Sequence, residues 1–128
     1  MKHRIYLSRD EGAAAFLFAA AEIFSEAEAW PAGKDLAQWG ERIGISCFIP
    51  GQIWAAGIDS QGIHIYFSGF RGEEAIFRRI LFHIVKLAGD SPRDWDMVPV
   101  KIQAPGVVSW EQWIEYYPQL LRIYRERK

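Results

Sequence analysis

The chain reads as an α+β domain, with a four- to five-stranded, mainly antiparallel sheet packed against helices in the order β-α-α-β-β-β-α-β-α. Three observations predict this. Half of the 128 residues are apolar and 15% are aromatic, which is enough to build a core. Two stretches, AAAFLFAAAEIF and EEAIFRRILFHIVKL, repeat apolar residues every three or four positions, the helical period. A third, QIWAAGIDSQGIHIYFSG, alternates on both sides of a turn signal, as a hairpin does. No repeat, low-complexity tract or Ser/Gly/Pro linker interrupts the sequence, so a single domain over 1–128 is expected.

Residues 4–8 (RIYLS) form the expected first strand. Ser8 then opens S-R-D-E, a capping-box pattern with Glu11 at its third helical position. The helix it starts should run to about Ala29, ahead of Trp30-Pro31, with Ala13, Phe16, Leu17, Ala20, Ile23, Phe24 and Ala27 on its buried face. Phe18 lies off that face, and much of the circumference is apolar, which implies cover on more than one side. The ten-residue run GAAAFLFAAA is too short to span a bilayer, which takes roughly 20 apolar residues. Asp10 and Glu11 also separate it from the basic MKHR, unlike a signal peptide, so neither a membrane segment nor a leader is expected. A short helical turn around Leu36, Trp39 and Ile43 should close at Gly44.

Parity organises the next stretch. Turn signals at Ile49-Pro50-Gly51-Gln52 and Asp59-Ser60-Gln61-Gly62 predict a three-stranded antiparallel meander over 45–69. With Ile49 paired to Gln52 and Ile58 to Ile63, one face carries Ile45, Cys47, Ile49, Trp54, Ala56, Ile58, Ile63, Ile65 and Phe67. That face is the expected core. The other carries Ser46, Phe48, Ile53, Ala55, Gly57, His64, Tyr66 and Ser68, with His64 opposite Gly57. Cys47, the lone cysteine, and His64 therefore sit on opposite faces and form no thiolate–imidazole pair. Pro-Gly suits a type II turn, which splays hairpins, so the first register is the looser of the two.

Gly69-Phe70-Arg71-Gly72 reads as a strand-to-helix turn, and Glu73 and Glu74 begin a helix that ends at Gly89. Ile76, Phe77, Ile80, Ile84, Leu87 and Ala88 are assigned to its inner stripe and Arg78, Arg79 and Lys86 to the outer one. Phe82 lies one turn from Arg78 and from Lys86, so it is expected outward among basic neighbours. DSPRDWDMVP should be a loop, and residues 99–104 (PVKIQA) an edge strand, where Pro99 is tolerated. Ser109 to Gln112 repeats the capping-box pattern ahead of Trp110, Trp113, Ile114, Tyr117, Leu120, Leu121 and Tyr124 at helical spacing. Pro118 should bend or split that last helix.

A net charge of −1 lacks the basic footprint of a nucleic-acid binder. One cysteine cannot close an intramolecular disulfide, so a cytoplasmic location is the default. His3, His64 and His83 are scattered, and Asp90, Asp94 and Asp96 lack the glycine and terminal glutamate of a calcium loop, so neither metal nor cofactor is expected. The glycines lack the placement of a phosphate cradle. Candidate partner contacts are Phe82 with Arg78, Arg79 and Lys86, then Tyr116, which falls off the apolar stripe of the tail, and finally His64 and Tyr66 on the milder sheet face. The bland alternatives are a solvated helix face for the first group and a half-exposed sheet histidine for His64.

In size, near-neutral charge, single-domain α+β build and the Trp-rich helical tail SWEQWIEYYPQLLRIYRERK, the chain resembles the immunity proteins of bacterial toxin systems. The resemblance implies a non-catalytic inhibitor that binds and neutralises a cognate toxin enzyme. Two other classes remain open. One is a small-molecule or regulatory domain using the open sheet face around His64 and Tyr66. The other is an enzyme acting through His64 with Asp94 or Asp96, for which no positioned nucleophile is visible.

Overall fold

The computed structural model describes residues 2–9, 12–24, 33–43 and 51–100, the side chains of 13, 34, 36 and 37 excepted. In chain order the elements are β1 (His3–Ser8), α1 (Ala13–Ile23), α2 (Gly33–Arg42), β2 (Ile53–Ile58), β3 (His64–Gly69), α3 (Glu74–Leu87), a 3₁₀ turn (Pro92–Asp94) and β4 (Trp95–Val100). The four strands form one sheet in the order β2-β3-β1-β4.

The α+β class holds, but the sheet is mixed rather than mainly antiparallel. Among the described strands only β2 and β3 run antiparallel, while β1 pairs parallel with β3 on one side and with β4 on the other. Sequence pattern exposes the local hairpin and conceals the parallel pairs, because those are made by crossovers through distant helices. β1 is apolar toward both sides, as a strand covered on two faces must be. Ile5 and Leu7 join Phe70 and Leu81 of the α3 layer, whereas Tyr6 joins the α1 layer with Ile65, Phe67, Trp54 and Val100. Helices therefore pack on both faces, not on one.

α1 is buried all round from Ala14 to Glu22, Phe18 included, so cover on more than one side is what the structure delivers. Part of that cover is Trp39 of α2, stacked on Phe16 at 5.2 Å and meeting Phe24 edge-on at 5.3 Å. The helix starts later than the capping box implied. Its N-cap is Gly12, and Ser8 instead ends β1, from where its hydroxyl oxygen accepts the amide of Ala15 at 3.2 Å. The described helix ends at Ile23 with Phe24 as C-cap, and the expected continuation to Ala29 lies outside the described residues. The turn around Trp39 and Ile43 is a ten-residue helix.

The hairpin keeps its expected register only in its first half. Trp54 faces Phe67 and Ala55 faces Tyr66, with the rings of Trp54 and Phe67 stacked at 5.3 Å. A bulge between Ala55 and Gly57 then shifts the pairing by one, so His64 opposes Ile58 rather than Gly57. Gly57, at φ 147°, makes the bulge possible. Ile58 consequently leaves the core and is exposed, while Ser68, assigned to the mild face, is fully buried and donates to the Gln52 carbonyl at 2.6 Å. The expected strand over 45–49, with Cys47, and the terminal helix, with Tyr116, lie outside the described residues.

The last described strand is also displaced. Trp95–Val100, expected as loop up to Pro99, is β4; of the strand expected over 99–104, Pro99 and Val100 lie in β4 and residues 101–104 lie outside the described residues. Trp95 and Met97 pack on the α3 side while Val98 and Val100 pack on the α1 side. A strand with two apolar faces does not alternate in polarity, and its Asp and Pro residues disguised it further. Pro99 does lie on an edge strand of the described sheet.

Gly12 offers a direct check. Its φ is 118°, and a Cβ there would sit 3.1 Å from the Gly69 amide nitrogen, which joins the β1–α1 turn to the end of β3. Gly12→Ala is expected to cost about 1–3 kcal/mol in urea denaturation, from backbone strain and the close approach together.

Candidate interaction surface

α3 is amphipathic, but its buried strip is not the one its sequence suggests. Leu81 and Val85 are buried and Phe77 is half-buried, stacked on Phe70 at 5.3 Å. Ile76, Ile80, Ile84 and Leu87, all assigned inward from the sequence, are 54%, 50%, 48% and 88% exposed. Intervals of four, four and three residues line them up as one stripe along the flank of the helix. Counting apolar spacing finds a helix with a wide greasy arc; it does not say which part of the arc the sheet can cover. The inner strip follows from the crossing position over Ile5 and Leu7 of β1.

The other flank matches expectation. Phe82 is 42% exposed, and the Lys86 ammonium lies 5.4 Å from its ring centroid, a cation–π approach. Arg78 and Arg79 are exposed beside it, and Arg78 reaches Glu74 only loosely, at 3.7 Å. The long α3 surface thus presents a basic, ring-bearing flank and an apolar flank side by side. Of the exposed large apolar residues among the described residues, only Ile53 and Ile58 lie elsewhere. Scattered exposed leucines mean little, but a contiguous apolar stripe is a recognised mark of contact.

His64 and Tyr66 fall in a different place. The parallel register aligns His64, His3 and Trp95 across three strands at the end where those strands begin. His3 stacks on Trp95 at 4.4 Å and lies 5.3 Å from His64, and Tyr66 stacks on Trp95 at 5.0 Å. Burial, with the negative charge of Asp90, pushes the Tyr66 phenol up from its ordinary value. His3 and Trp95 were missed as site neighbours because only strand pairing reveals them. Beside this ring group, an apolar cleft of about 90 Å³ opens beneath α3, lined by Ile5, Ile53, Leu81, Ile84, Val85 and Met97 among others.

The proposed partnership of His64 with Asp96 is not made. Asp96 belongs to the opposite face, where its carboxylate accepts from the Arg4 guanidinium at 3.1 Å. Arg4 also donates to buried Glu22 at 2.8 Å, and the Tyr6 hydroxyl donates to the same Glu22 oxygen. This polar group at the C-terminal end of α1 was invisible in the sequence, where Arg4, Tyr6, Glu22 and Asp96 are dispersed over 92 positions. Among the described residues no group of three or more His, Cys, Asp or Glu is arranged to hold a metal, and no helix is long and apolar enough to cross a membrane.

The assignment of α3 faces can be tested by stability alone. Leu81→Ala is expected to cost about 2–5 kcal/mol in chemical denaturation. Ile80→Ala, its sequence neighbour, should change stability by no more than about 0.5 kcal/mol. Compared with known proteins, the chain matches no protein-family model, no curated protein and no solved structure.

Proposed function

We propose that the chain is a non-catalytic protein-binding module that uses α3 as its contact face. The observation that carries this reading is the pairing of an exposed apolar stripe, Ile76, Ile80, Ile84 and Leu87, with a basic flank of Arg78, Arg79 and Lys86 around Phe82. Apolar area supplies affinity at a protein interface, and a one-signed rim supplies orientation and rate. The fitting partner offers an apolar ridge bordered by carboxylates. In its specific form, suggested by the resemblance to immunity proteins, the partner is a toxin enzyme that the module binds and neutralises.

A second reading draws on the cleft beneath α3 and the rings of His3, His64, Tyr66 and Trp95 beside it. It assigns the sheet face to a small, largely apolar ligand. The two readings separate experimentally. With a candidate toxin enzyme titrated against the module, a one-to-one complex that abolishes the enzyme's turnover is expected. Leu87→Glu should weaken that complex by at least tenfold and leave the melting temperature unchanged, and Arg79→Glu should slow association, most clearly at low salt. A module in which both variants bind as the parent does would overturn the α3 assignment. A ligand domain would instead gain melting temperature with its metabolite and lose that gain on His64→Ala.

A further inference from the structure

The cleft beneath α3 has a size, a buried donor and a rim charge that together define what would fill it, given the reading of this sheet face as a ligand site. Its volume is about 90 Å³. The sheet supplies one wall through Ile5 of β1 and Met97 of β4, and α3 supplies the other through Leu81, Ile84 and Val85. Of its lining residues, only Asp90 and Trp95 carry a polar side-chain group. Asp90 is exposed and so belongs to the rim.

Trp95 begins β4, where the parallel register sets it beside His3. Its indole stacks on His3 at 4.4 Å and on Tyr66 at 5.0 Å, with interplanar angles of 17° and 29°. Turning the ring to seek an acceptor would break both stacks, so its plane is fixed. Nε1 is buried and finds no acceptor among the described residues. An indole N–H can only donate. Leaving such a donor buried and unpaired is costly, and an oxygen carried into the cleft that the ring lines removes that cost.

Size and charge narrow the class further. An apolar cavity of about 150 Å³ takes one benzene ring, so 90 Å³ takes about four carbon-sized atoms. The Asp90 carboxylate at the rim repels an anion. A cation has no lone pair to give the indole N–H. A neutral acceptor meets both conditions.

We propose that the cleft binds a short neutral carbonyl compound of about four carbons, its hydrocarbon part against Ile5, Leu81, Val85 and Met97 and its oxygen accepting from the Trp95 indole N–H. Apolar walls supply the affinity and the one fixed donor supplies the orientation, the usual division of labour in small-molecule sites. Butanone has this form. Its methylidene analogue keeps the shape but has no acceptor oxygen, and butyrate keeps the length but carries a charge.

The test follows the Trp95 indole signal in proton–nitrogen NMR spectra of the whole chain, assigned through its connection to the β4 backbone. Butanone is expected to move that signal downfield and saturably, and the methylidene analogue to bind without doing so. Butyrate should bind at least tenfold more weakly than butanone. Trp95→Phe should lower the affinity for butanone relative to the analogue by about three- to tenfold, the loss of one neutral hydrogen bond. Using the ratio of the two probes cancels their different hydration and any loosening of the site. Ala88 lines the cleft and is exposed, so Ala88→Leu should weaken both probes and leave the melting temperature unchanged, a readout that stands even if Trp95→Phe fails to fold. A Trp95 signal that butanone leaves in place, an unchanged ratio in Trp95→Phe, or butyrate binding as tightly as butanone would overturn the ligand assignment while leaving an apolar site. Undiminished binding in Ala88→Leu would overturn the cleft as its location. Binding of neither butanone nor its analogue would overturn the ligand reading of the sheet face as well.

Discussion

The constraint on which this structure depends is the complete burial of α1. From Ala14 to Glu22 the helix has no exposed side, and a helix apolar all round must be enclosed by other elements. Each large side chain so enclosed contributes about 1.5–3 kcal/mol, and Phe16, Leu17 and Phe18 are all of that kind. One wall is the sheet face of Tyr6, Ile65, Phe67, Trp54 and Val100, which draws residues from all four strands. Another is Trp39 of α2. The Gly12 turn places the start of α1 against the end of β3, which aligns helix and sheet.

Once α1 occupies one face, the crossover from β3 to β4 places α3 on the other. There the covering is incomplete. Leu81, Val85 and Phe77 meet the Ile5 and Leu7 side of β1, and the rest of a broad apolar arc is left facing outward. A helix needing only stability would place polar residues at 76, 80, 84 and 87. Among the described residues no packing accounts for their apolar character, and this is why the proposed contact face is placed on α3 rather than on the glycine turns or the lone cysteine.

The polar cluster beneath α1 shows a second departure from simple burial. Arg4, Tyr6, Glu22 and Asp96 come from two strands and a helix, and each answers a need created by another. Breaking a buried group of this sort leaves a charge unpaired, which costs more than the group contributes when intact. Burial lowers the affinity of Arg4 for its proton, yet Glu22 and Asp96 more than offset this and hold it cationic. The cluster therefore fixes the relative position of α1, β1 and β4 more than it adds to stability.

Much of this was legible in the sequence wherever the cause is local. The helical period of α1 and its cover on more than one side, the strand at Ile5 and Leu7, the Asp59–Gly62 turn and the outward Phe82 all follow from neighbouring residues. Tertiary structure alone decided the rest. Parallel pairing of β1 with β3 and β4 aligned His3, His64 and Trp95, because only crossovers set that register. The bulge at Gly57 exposed Ile58, and a strand with two apolar faces hid β4 from any search for alternation. The crossing position of α3 selected Leu81 over Ile80, since a sequence records how wide an apolar arc is and not where the sheet will meet it. Arg4 and Glu22 came together for the same reason: their proximity is a property of packed elements and not of spacing along the chain.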